Sequence, residues 1–229
     1  MDLAGAGYLD YRRVLDHGYV GLVEVQGSEA SIVRAARTCY ASEGGDPDKD
    51  ARLVARLLRD EHLTPFRFAR LVLDVYCPLF VRSQWERHTA GWAYCEQSFR
   101  YVVPEQLEFY LPEADSSPQH TLGDSYSDSW LAYREALAQG LRPEQARLAL
   151  PQATYTKFTA ICNIQALMHW LKLRLDKHAQ WEHQEYARAV LAMWEAVMPV
   201  VARAARGRIT GGAVGIGRVW WEGRKERHA

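Results

Sequence analysis

The stretch QWERHTAGWAYCEQSFRY, at residues 84–101, is the part of the chain around which the rest is organised. It combines charged and amide side chains with several aromatic rings, and it lacks the period of an ordinary amphipathic helix or strand. Its first half is predicted to complete a helix that begins near Leu79, and its second half to begin a strand at Ser98. Loops that join rigid elements and carry such side chains are frequent binding sites. We therefore expect the rest of the chain to act as a scaffold that supplies partner residues.

Length and composition indicate one large domain over residues 1–229, with a glycine-rich, basic tail from about residue 207. Basic and acidic residues are equal in number, 28 of each, so the formal net charge is zero. This balance argues against a nucleic-acid partner and favours self-association. No apolar run is long enough for a membrane span and no leader opens the chain, so we expect a cytoplasmic protein without a membrane partner.

The cysteines and common motifs exclude several classes of site. Cys39, Cys77, Cys95 and Cys162 have no paired spacing, which predicts neither a disulfide framework nor a zinc site. We expect small buried thiols, with Cys95 as the one candidate nucleophile. Dinucleotide-binding, phosphate-loop, zinc-protease and nucleophile-elbow motifs are absent from the sequence. The sequence therefore predicts no metal site and assigns the difficult chemistry to an organic cofactor.

Hydrophobic periodicity and glycine or proline punctuation predict an α+β fold. Strands are predicted at residues 19–25, 66–76 and 154–161, with shorter pieces at 99–103 and 107–111. Helices are predicted at residues 29–37, from a cap at Asp46 or Asp48 to before Thr64, at 78–85, 127–139 and 143–150, after Asn163, and at about 179–205. Residues 1–17 are expected to form an irregular lead-in and residues 112–125 a surface loop. Gly140 is placed as a left-handed helix cap.

A second polar group is formed by Asn163, Arg174 and His178. At ~100° per residue these side chains would share one face of a continuous helix, as a polar wall facing a ligand. The alternative is a solvated face with an intrahelical pair at Asp176.

Within and near residues 84–101, the side chains suit a phosphorylated planar ligand. Arg87, Arg100 and Arg147 offer forked donors for phosphate and for the edge of a uracil-like ring. Stacking on a planar ring is expected from Trp85, Trp92, Tyr94 and Phe99.

These motifs resemble the flavin-dependent thymidylate synthase family, often called ThyX. The family signature runs Arg-His-Arg, a fixed spacer and then Ser, usually within Asn-Glu-x-Ser-x-Arg-Tyr. The corresponding residues here are Arg87-His88-Thr89 and Glu96-Gln97-Ser98-Phe99-Arg100-Tyr101. Further matches, in the family's order, are VRAAR at 33–37, HLTPF at 62–66, PLFVRSQW at 78–85, LR at 173–174 and HAQWE at 178–182. The resemblance covers most of the chain, from about residue 19 to about residue 200.

The resemblance implies a mostly antiparallel sheet packed by helices, and a homotetramer whose active sites are shared between subunits. It also implies reductive methylation at C5 of a uridine monophosphate. In that family methylenetetrahydrofolate donates the carbon, FAD carries the hydride, and NADPH reduces the flavin. No cysteine nucleophile is required.

Site residues are carried over from the matching positions. Nucleotide binding is assigned to Gln84, Arg87, Glu96, Gln97, Ser98, Phe99, Arg100, Arg147 and Arg174. Arg174, Arg87 and Ser98 are the expected catalytic residues, with Arg174 polarising the uracil and favouring its N3-ionised form, which activates C5. Cofactor binding is assigned to His62, Thr64, Arg87, His88, Thr89, Glu96, Asn163, Gln165, His169 and His178. His62 is expected to border the folate or nicotinamide.

The chain departs from the family pattern beside the expected pocket. Thr89 stands where the signature has its second Arg, and Cys95 where it has Asn. Gln165 and His169 stand where the family often has Arg and Asn. The spacing from Arg87 to Ser98 is one residue longer than in the family.

An inserted residue beside the sugar and phosphate favours UMP as a substrate alongside or instead of dUMP, as in ThyX-like enzymes of nucleoside-antibiotic pathways. The alternatives are an ordinary thymidylate synthase that converts dUMP to dTMP, a C5-hydroxymethylase, and a non-catalytic flavin- or nucleotide-binding homologue.

Overall fold

The frame of the protein is a five-stranded sheet in which all neighbouring strands are antiparallel. The computed structural model describes residues 7–38, 45–113 and 116–210. The strands are β1 Asp10–Val14, β2 Gly18–Gln26, β3 Arg70–Pro78, β4 Trp92–Glu96 and β5 Tyr155–Asn163, and their order across the sheet is β1-β2-β3-β5-β4. The predicted α+β fold with a mostly antiparallel sheet is confirmed.

Helices pack on this sheet, and several of them agree with the predicted ranges. They are α1 Glu29–Thr38, α2 Pro47–Arg59, α3 Leu79–Trp85, α4 Ser116–Ala138, α5 Pro143–Ala146, α6 Ile164–Arg174, α7 Trp181–Val197 and α8 Pro199–Thr210. Short 3₁₀ turns occupy Thr64–Phe68 and Arg147–Ala149. Within the described ranges, no helix has both the length and the apolar character that a membrane span requires.

The alternation of β3 places the main core on one face of the sheet. Leu71, Leu73 and Val75 are fully buried, whereas the residues between them are partly exposed. The same core cluster contains Trp170 of α6 and Trp194 of α7. Burial of such alternate apolar side chains is the main stabilising term for a sheet covered by helices. The core therefore holds α6 and α7 against the sheet, next to the end of β5.

The strand predicted at residues 99–103 is wrong, because the strand lies earlier, at β4. Trp92 is buried and Tyr94 half-buried on one face of β4, while Ala93 and Cys95 are exposed on the other. Residues after β4 turn instead, and the Ser98 carbonyl accepts hydrogen bonds from the backbone N–H groups of Tyr101 and Val102. The predicted piece at 107–111 is reduced to a single bridge between Phe109 and Thr154. Pairing with β5, rather than local propensity, decides where β4 lies.

The starts of β1 and β3 also differ from the predicted boundaries. The expected lead-in contains β1, which forms a hairpin with β2. An edge strand tolerates charged residues such as Asp10 and Arg12, and this is why its pattern resembled irregular chain. The predicted strand at 66–76 begins only at Arg70, because the preceding residues form the 3₁₀ turn that starts at Thr64 and Pro65.

Helix boundaries also differ in the second half. The loop predicted at 112–125 is mostly α4, since Pro118 lies in its first turn, where a proline is tolerated. The long helix predicted at 179–205 is two helices, because Pro199 cannot continue α7. Glu29 Oε1 accepts the backbone N–H groups of Val200 and Val201 at 2.6 and 2.9 Å and so stabilises the new start.

The predicted thiols are buried at Cys77 and Cys162, whose pKa values are raised by that burial. Cys95 is exposed on β4, which corrects its inclusion among the expected buried thiols. Cys39 lies outside the described residues, as does most of the predicted tail, from residue 211 onward.

Candidate active site

A cavity of about 450 Å³ lies where the turn after α3 meets the start of α6. Its lining comes from three segments: Arg67; Arg87, His88, Thr89, Ala90, Gly91 and Trp92; and Asn163, Gln165, Ala166 and His169. Aspartate and glutamate are absent from this lining. Two arginines and a helix N-terminus without a compensating acid make the cavity a favourable place for an anionic ligand.

Glycine is required at the turn that forms one wall of the cavity. Gly91 has φ +78, and a Cβ added there would lie 2.5 Å from Asn163 Nδ2. Its carbonyl accepts the backbone N–H of Asn163 at 3.1 Å. The Tyr94 hydroxyl donates to the His88 carbonyl at 2.7 Å, which holds the other side of the turn. These contacts fix the turn against α6.

Asn163 connects the sheet to the cavity. It is the last residue of β5, and its Oδ1 accepts the backbone N–H of Ala166 at 2.9 Å, so it is the N-cap of α6. Gln165 and His169 are four residues apart on that helix and reach the same cavity. The β5–α6 junction therefore presents the side chains of Asn163, Gln165 and His169 to the cavity.

Arg174 and His88 form the centre of the polar network beside the cavity. Arg174 Nη2 donates to the Gln84 carbonyl at 2.9 Å, and Arg174 Nε donates to His88 Nε2 at 3.2 Å. Burial, followed by the nearby charges of Arg174 and His169, lowers the pKa of His88 to about 4. His88 is thus a neutral acceptor with its proton on Nδ1.

The charge of Arg174 is not neutralised by an acid. No carboxylate in the described part of the chain pairs with its guanidinium, and its two partners are neutral. Burial and the like charge of Arg87 lower the pKa of Arg174 from its usual value. A cation held in this way retains donors and charge for an anionic or polarised ligand.

His183 lies near this network without hydrogen-bonding to it, and it was missed from the sequence. It is fully buried on α7, with its ring 5.5 Å from that of Trp85 and 5.6 Å from that of Trp170. Burial, with Arg174 and His88 adding smaller effects, lowers the pKa of His183 to about 3. Its position one turn before the buried Tyr186 and Ala187 is the signal that could have placed it in the core.

The expectation that Trp85 stacks on a ligand is wrong. Its side chain is fully buried, and its ring stacks on Trp170 at 4.5 Å. Trp92 is the aromatic residue of residues 84–101 that lines the cavity. Trp85 is therefore a residue of the buried core and does not contact a ligand in the cavity.

The expected nucleotide residues divide into two groups. Gln84, Arg87 and Arg174 lie at the network around His88, and Arg87 also lines the cavity. The second group neither lines the cavity nor hydrogen-bonds to Arg174 or His88; its members are Glu96, Gln97, Ser98, Phe99, Arg100 and Arg147. At ~3.3 Å per residue along β4, Glu96 is ~13 Å beyond Trp92.

In this second group several polar groups already have partners within the chain. Glu96 pairs with the buried Arg82 at 3.2 Å and accepts from the Thr156 hydroxyl at 2.8 Å. Arg100 lies 3.5 Å from Glu144, and Arg147 is exposed at the start of its 3₁₀ turn. Within one copy of the chain, the second group therefore makes no hydrogen bond or ion pair with Arg174 or His88.

Four expected cofactor residues lie outside the cavity lining: His62, Thr64, Glu96 and His178. His62 lies between α2 and the following 3₁₀ turn, and Thr64 is the first residue of that turn; neither lines the cavity. His178 is exposed in the turn after α6, so its predicted place on one continuous helix face with Asn163 and Arg174 is wrong. The helix ends at Arg174, and the chain changes direction before His178. Arg67, which lines the cavity, was not among the expected residues.

Comparisons with known proteins agree with this architecture. A family model described as "Thymidylate synthase complementing protein" matches residues 21–200. A flavin-dependent thymidylate synthase of Thermotoga neapolitana is 38% identical over 195 residues, covering 81% of this chain and 89% of the relative. An enzyme of the same name from Thermus thermophilus is 35% identical over 204 residues, covering 82% of this chain and 75% of the relative.

Solved structures give the same result. The UMP/dUMP methylase PolB from Streptomyces cacaoi, bound with 5-Br dUMP, has a TM-score of 0.77 and 28% identity, covering 86% of this chain and 97% of PolB. PolB bound with 5-Br UMP has a TM-score of 0.72 and 27% identity over the same shares. The residues that the family model matches include β3, β4, β5, the turn after α3 and α6. The chain belongs to the family of flavin-dependent thymidylate synthases, as a divergent member whose signature carries Thr89 and a lengthened turn.

Proposed function

We propose that this protein is a flavin-dependent methyltransferase that reductively methylates C5 of a uridine monophosphate, accepting UMP alongside or in preference to dUMP. Methylenetetrahydrofolate would donate the carbon and NADPH the reducing equivalents. Family membership and the fold shared with a UMP/dUMP methylase support the reaction class. We place this activity in the cytoplasm, with no nucleic-acid or membrane partner.

The unneutralised guanidinium of Arg174 is the observation that carries the proposal. It is held by the Gln84 carbonyl and by neutral His88, and no described carboxylate competes for it. Placed against a uracil carbonyl, this cation would stabilise negative charge that develops when N3 loses its proton. The electron-rich ring would then react through C5 with the one-carbon donor. Preorganisation by fixed donors is the most effective way for a protein to supply such stabilisation.

The donor set of the cavity fits the flavin nucleotide. Arg67, which hydrogen-bonds to Gln165, and Arg87 suit phosphate oxygens, Asn163 can exchange hydrogen bonds with a planar amide-like edge, and Trp92 offers an apolar wall. His88, His169 and Thr89 complete the polar lining. Bound FAD would supply the hydride that completes the methyl group. The residues of this chain would bind and orient it and exclude water.

The separation of the two nucleotide groups supports a site shared between copies. Within one chain, Ser98 and Arg100 follow the edge strand β4 and make no hydrogen bond to Arg174. The neighbouring surface exposes Tyr101 by 78% and Leu148 by 84%, which is suitable for burial against another copy. We propose a homotetramer in which Glu96, Ser98, Arg100 and Arg147 of one copy complete the nucleotide site around Arg174 of another.

The decisive assay offers UMP and dUMP separately, with FAD, methylenetetrahydrofolate and NADPH, and measures the mass of the nucleotide product. A gain of one CH₂ unit is the expected result, and faster turnover of UMP would support the assigned preference. A gain of one CH₂O unit would identify a hydroxymethylase. Turnover confined to dUMP would identify an ordinary thymidylate synthase. Flavin binding without any change of nucleotide mass would contradict the enzyme assignment.

Arg174→Ala is the matched test of the site. It should abolish turnover while leaving flavin bound, because Arg174 does not line the cavity. The control is Arg59→Ala, which removes an exposed arginine paired with Asp60 on α2.

Sharing of the site is tested by mixing Arg174→Ala with Ser98→Ala subunits. Two inactive variants should regain activity when mixed tetramers form, because some sites then combine an intact Arg174 with an intact Ser98. Absence of recovery in confirmed mixed tetramers would contradict the shared site.

A further inference from the structure

Arg67 lines two cavities of the molecule and is not part of any sequence motif described above. It is in the 3₁₀ turn Thr64–Phe68 and lines the candidate active-site cavity. It also lines a second cavity of about 450 Å³, together with Gln26, Gly27, Phe68 and Arg70. A guanidinium at the junction of two openings can contact a ligand that extends from one to the other.

Gln165 holds Arg67 in this position. Arg67 Nε donates to Gln165 Oε1 at 2.6 Å, across 98 residues of sequence. Among the described residues, no carboxylate pairs with Arg67. The Nε hydrogen bond uses one edge of the guanidinium and leaves the forked Nη donors for a ligand. The amide therefore orients the cation without neutralising it.

Arg87 of the signature lines this cavity, but two other positions around it lack cations that are common in the family. Thr89 replaces the second signature arginine, and Gln165 replaces an arginine often present on the equivalent helix. Both residues line the same cavity as Arg67. Arg67 thus brings a positive charge to this cavity from a different element of the fold.

We propose that Arg67 binds a phosphate of the flavin nucleotide, and that Gln165 is its positioning residue. This assignment rests on the proposed flavin-dependent function. The acid-free lining and the N-terminus of α6 favour an anion here, and a forked arginine donor matches phosphate oxygens. The isoalloxazine ring has no comparable charge, so Arg67 should contribute to binding of FAD but not of riboflavin.

Flavin binding to the apoprotein tests the proposal without reliance on turnover. Dissociation constants for FAD, FMN and riboflavin are measured by quenching of flavin fluorescence in wild type, Arg67→Ala, Arg67→Lys and Gln165→Ala. Loss of a charge-assisted contact should weaken FAD binding by about tenfold or more in Arg67→Ala, while riboflavin binding changes less than about twofold. Arg67→Lys should recover part of the affinity because it restores the charge without the fork.

Gln165→Ala should weaken FAD binding less than Arg67→Ala does. The double variant should be no weaker than Arg67→Ala alone, since Gln165 acts through Arg67. Arg59→Ala should bind all three flavins as wild type does. Circular dichroism establishes that each variant is folded before its affinity is compared.

The outcomes separate this proposal from the proposed function. Wild-type affinity for FAD in Arg67→Ala, or an equal loss for FAD and riboflavin, would overturn the role of Arg67 while leaving the flavoenzyme assignment intact. Unchanged FAD binding would also be the result if Arg67 bound the carboxylates of the folate instead. Failure of the wild-type protein to bind any flavin would remove both.

Discussion

Replacement of Gly91 by alanine tests whether the turn after α3 is held tightly against α6. Gly91 has φ +78, and the added Cβ would lie 2.5 Å from Asn163 Nδ2 and 2.9 Å from Ala166 Cβ. Neither neighbour can retreat freely, because Asn163 caps α6 and Ala166 belongs to its first turn. The new methyl group therefore strains both the turn and the helix start.

The magnitude follows from three separate costs. A left-handed conformation costs alanine about 1 kcal/mol. Displacement of Asn163 loses an N-cap hydrogen bond of about 1 kcal/mol. Overpacking against Ala166 adds about 1 kcal/mol or more. The free energy of unfolding should therefore fall by about 3 kcal/mol.

Gly140→Ala is the matched control. Gly140 also has a positive φ, +88, but a Cβ there meets nothing within 4 Å. The free energy of unfolding of Gly140→Ala should fall by only about 1 kcal/mol. In both variants alanine also lowers the conformational entropy of the unfolded chain, and this stabilising effect is equal for the two. The comparison therefore isolates the cost of the close approach.

Guanidinium unfolding followed by tryptophan fluorescence measures both variants, and flavin titration measures the cavity. Gly91→Ala should also bind FAD more weakly, because Gly91, Asn163 and Ala166 all line the cavity. A Gly91→Ala protein as stable as Gly140→Ala would refute the tight packing of this turn on α6.

Three further outcomes are expected. Arg174→Lys keeps the positive charge but loses the forked guanidinium that donates to the Gln84 carbonyl and to His88. Nucleotide turnover should fall about tenfold or more while the affinity for FAD stays unchanged. Turnover at the wild-type rate would contradict a role for the forked donors. Tyr94→Phe removes the hydroxyl that bonds the His88 carbonyl at 2.7 Å, and denaturant titration should show a loss of about 1 kcal/mol; no loss would mean that this bond does not stabilise the turn. The pKa of His183 is about 3 in the folded protein and 6.5 in the unfolded chain. Because the unfolded chain binds the proton more readily, the free energy of unfolding falls as the pH is lowered from 6.5 towards 3. Between about pH 7.5 and about pH 5 this residue should cost about 2 kcal/mol of stability, and an equally steep fall in His183→Phe would contradict the assignment.

Local sequence determined many elements because their patterns need only near neighbours. The alternation of β3 and β5 and the cap at Asn163 could all be predicted from short windows. Gly140 likewise has the left-handed conformation expected after a helix. The boundary errors at β1 and β4 occurred at sheet edges, where pairing with one neighbour replaces a strong apolar pattern.

The residues of the signature determined by themselves which family this chain joins, since their types and order are readable without a fold. Only the tertiary structure decided which of them meet. Arg174 and His88 are 86 residues apart in sequence, and Arg67 and Gln165 are 98 apart, yet each pair is in hydrogen-bond contact. No local period encodes such contacts, because they depend on how β3, β5 and α6 pack around a shared core. The same packing buries His183 and leaves Ser98 without a hydrogen bond to Arg174, and we propose that a second copy of the chain completes the site.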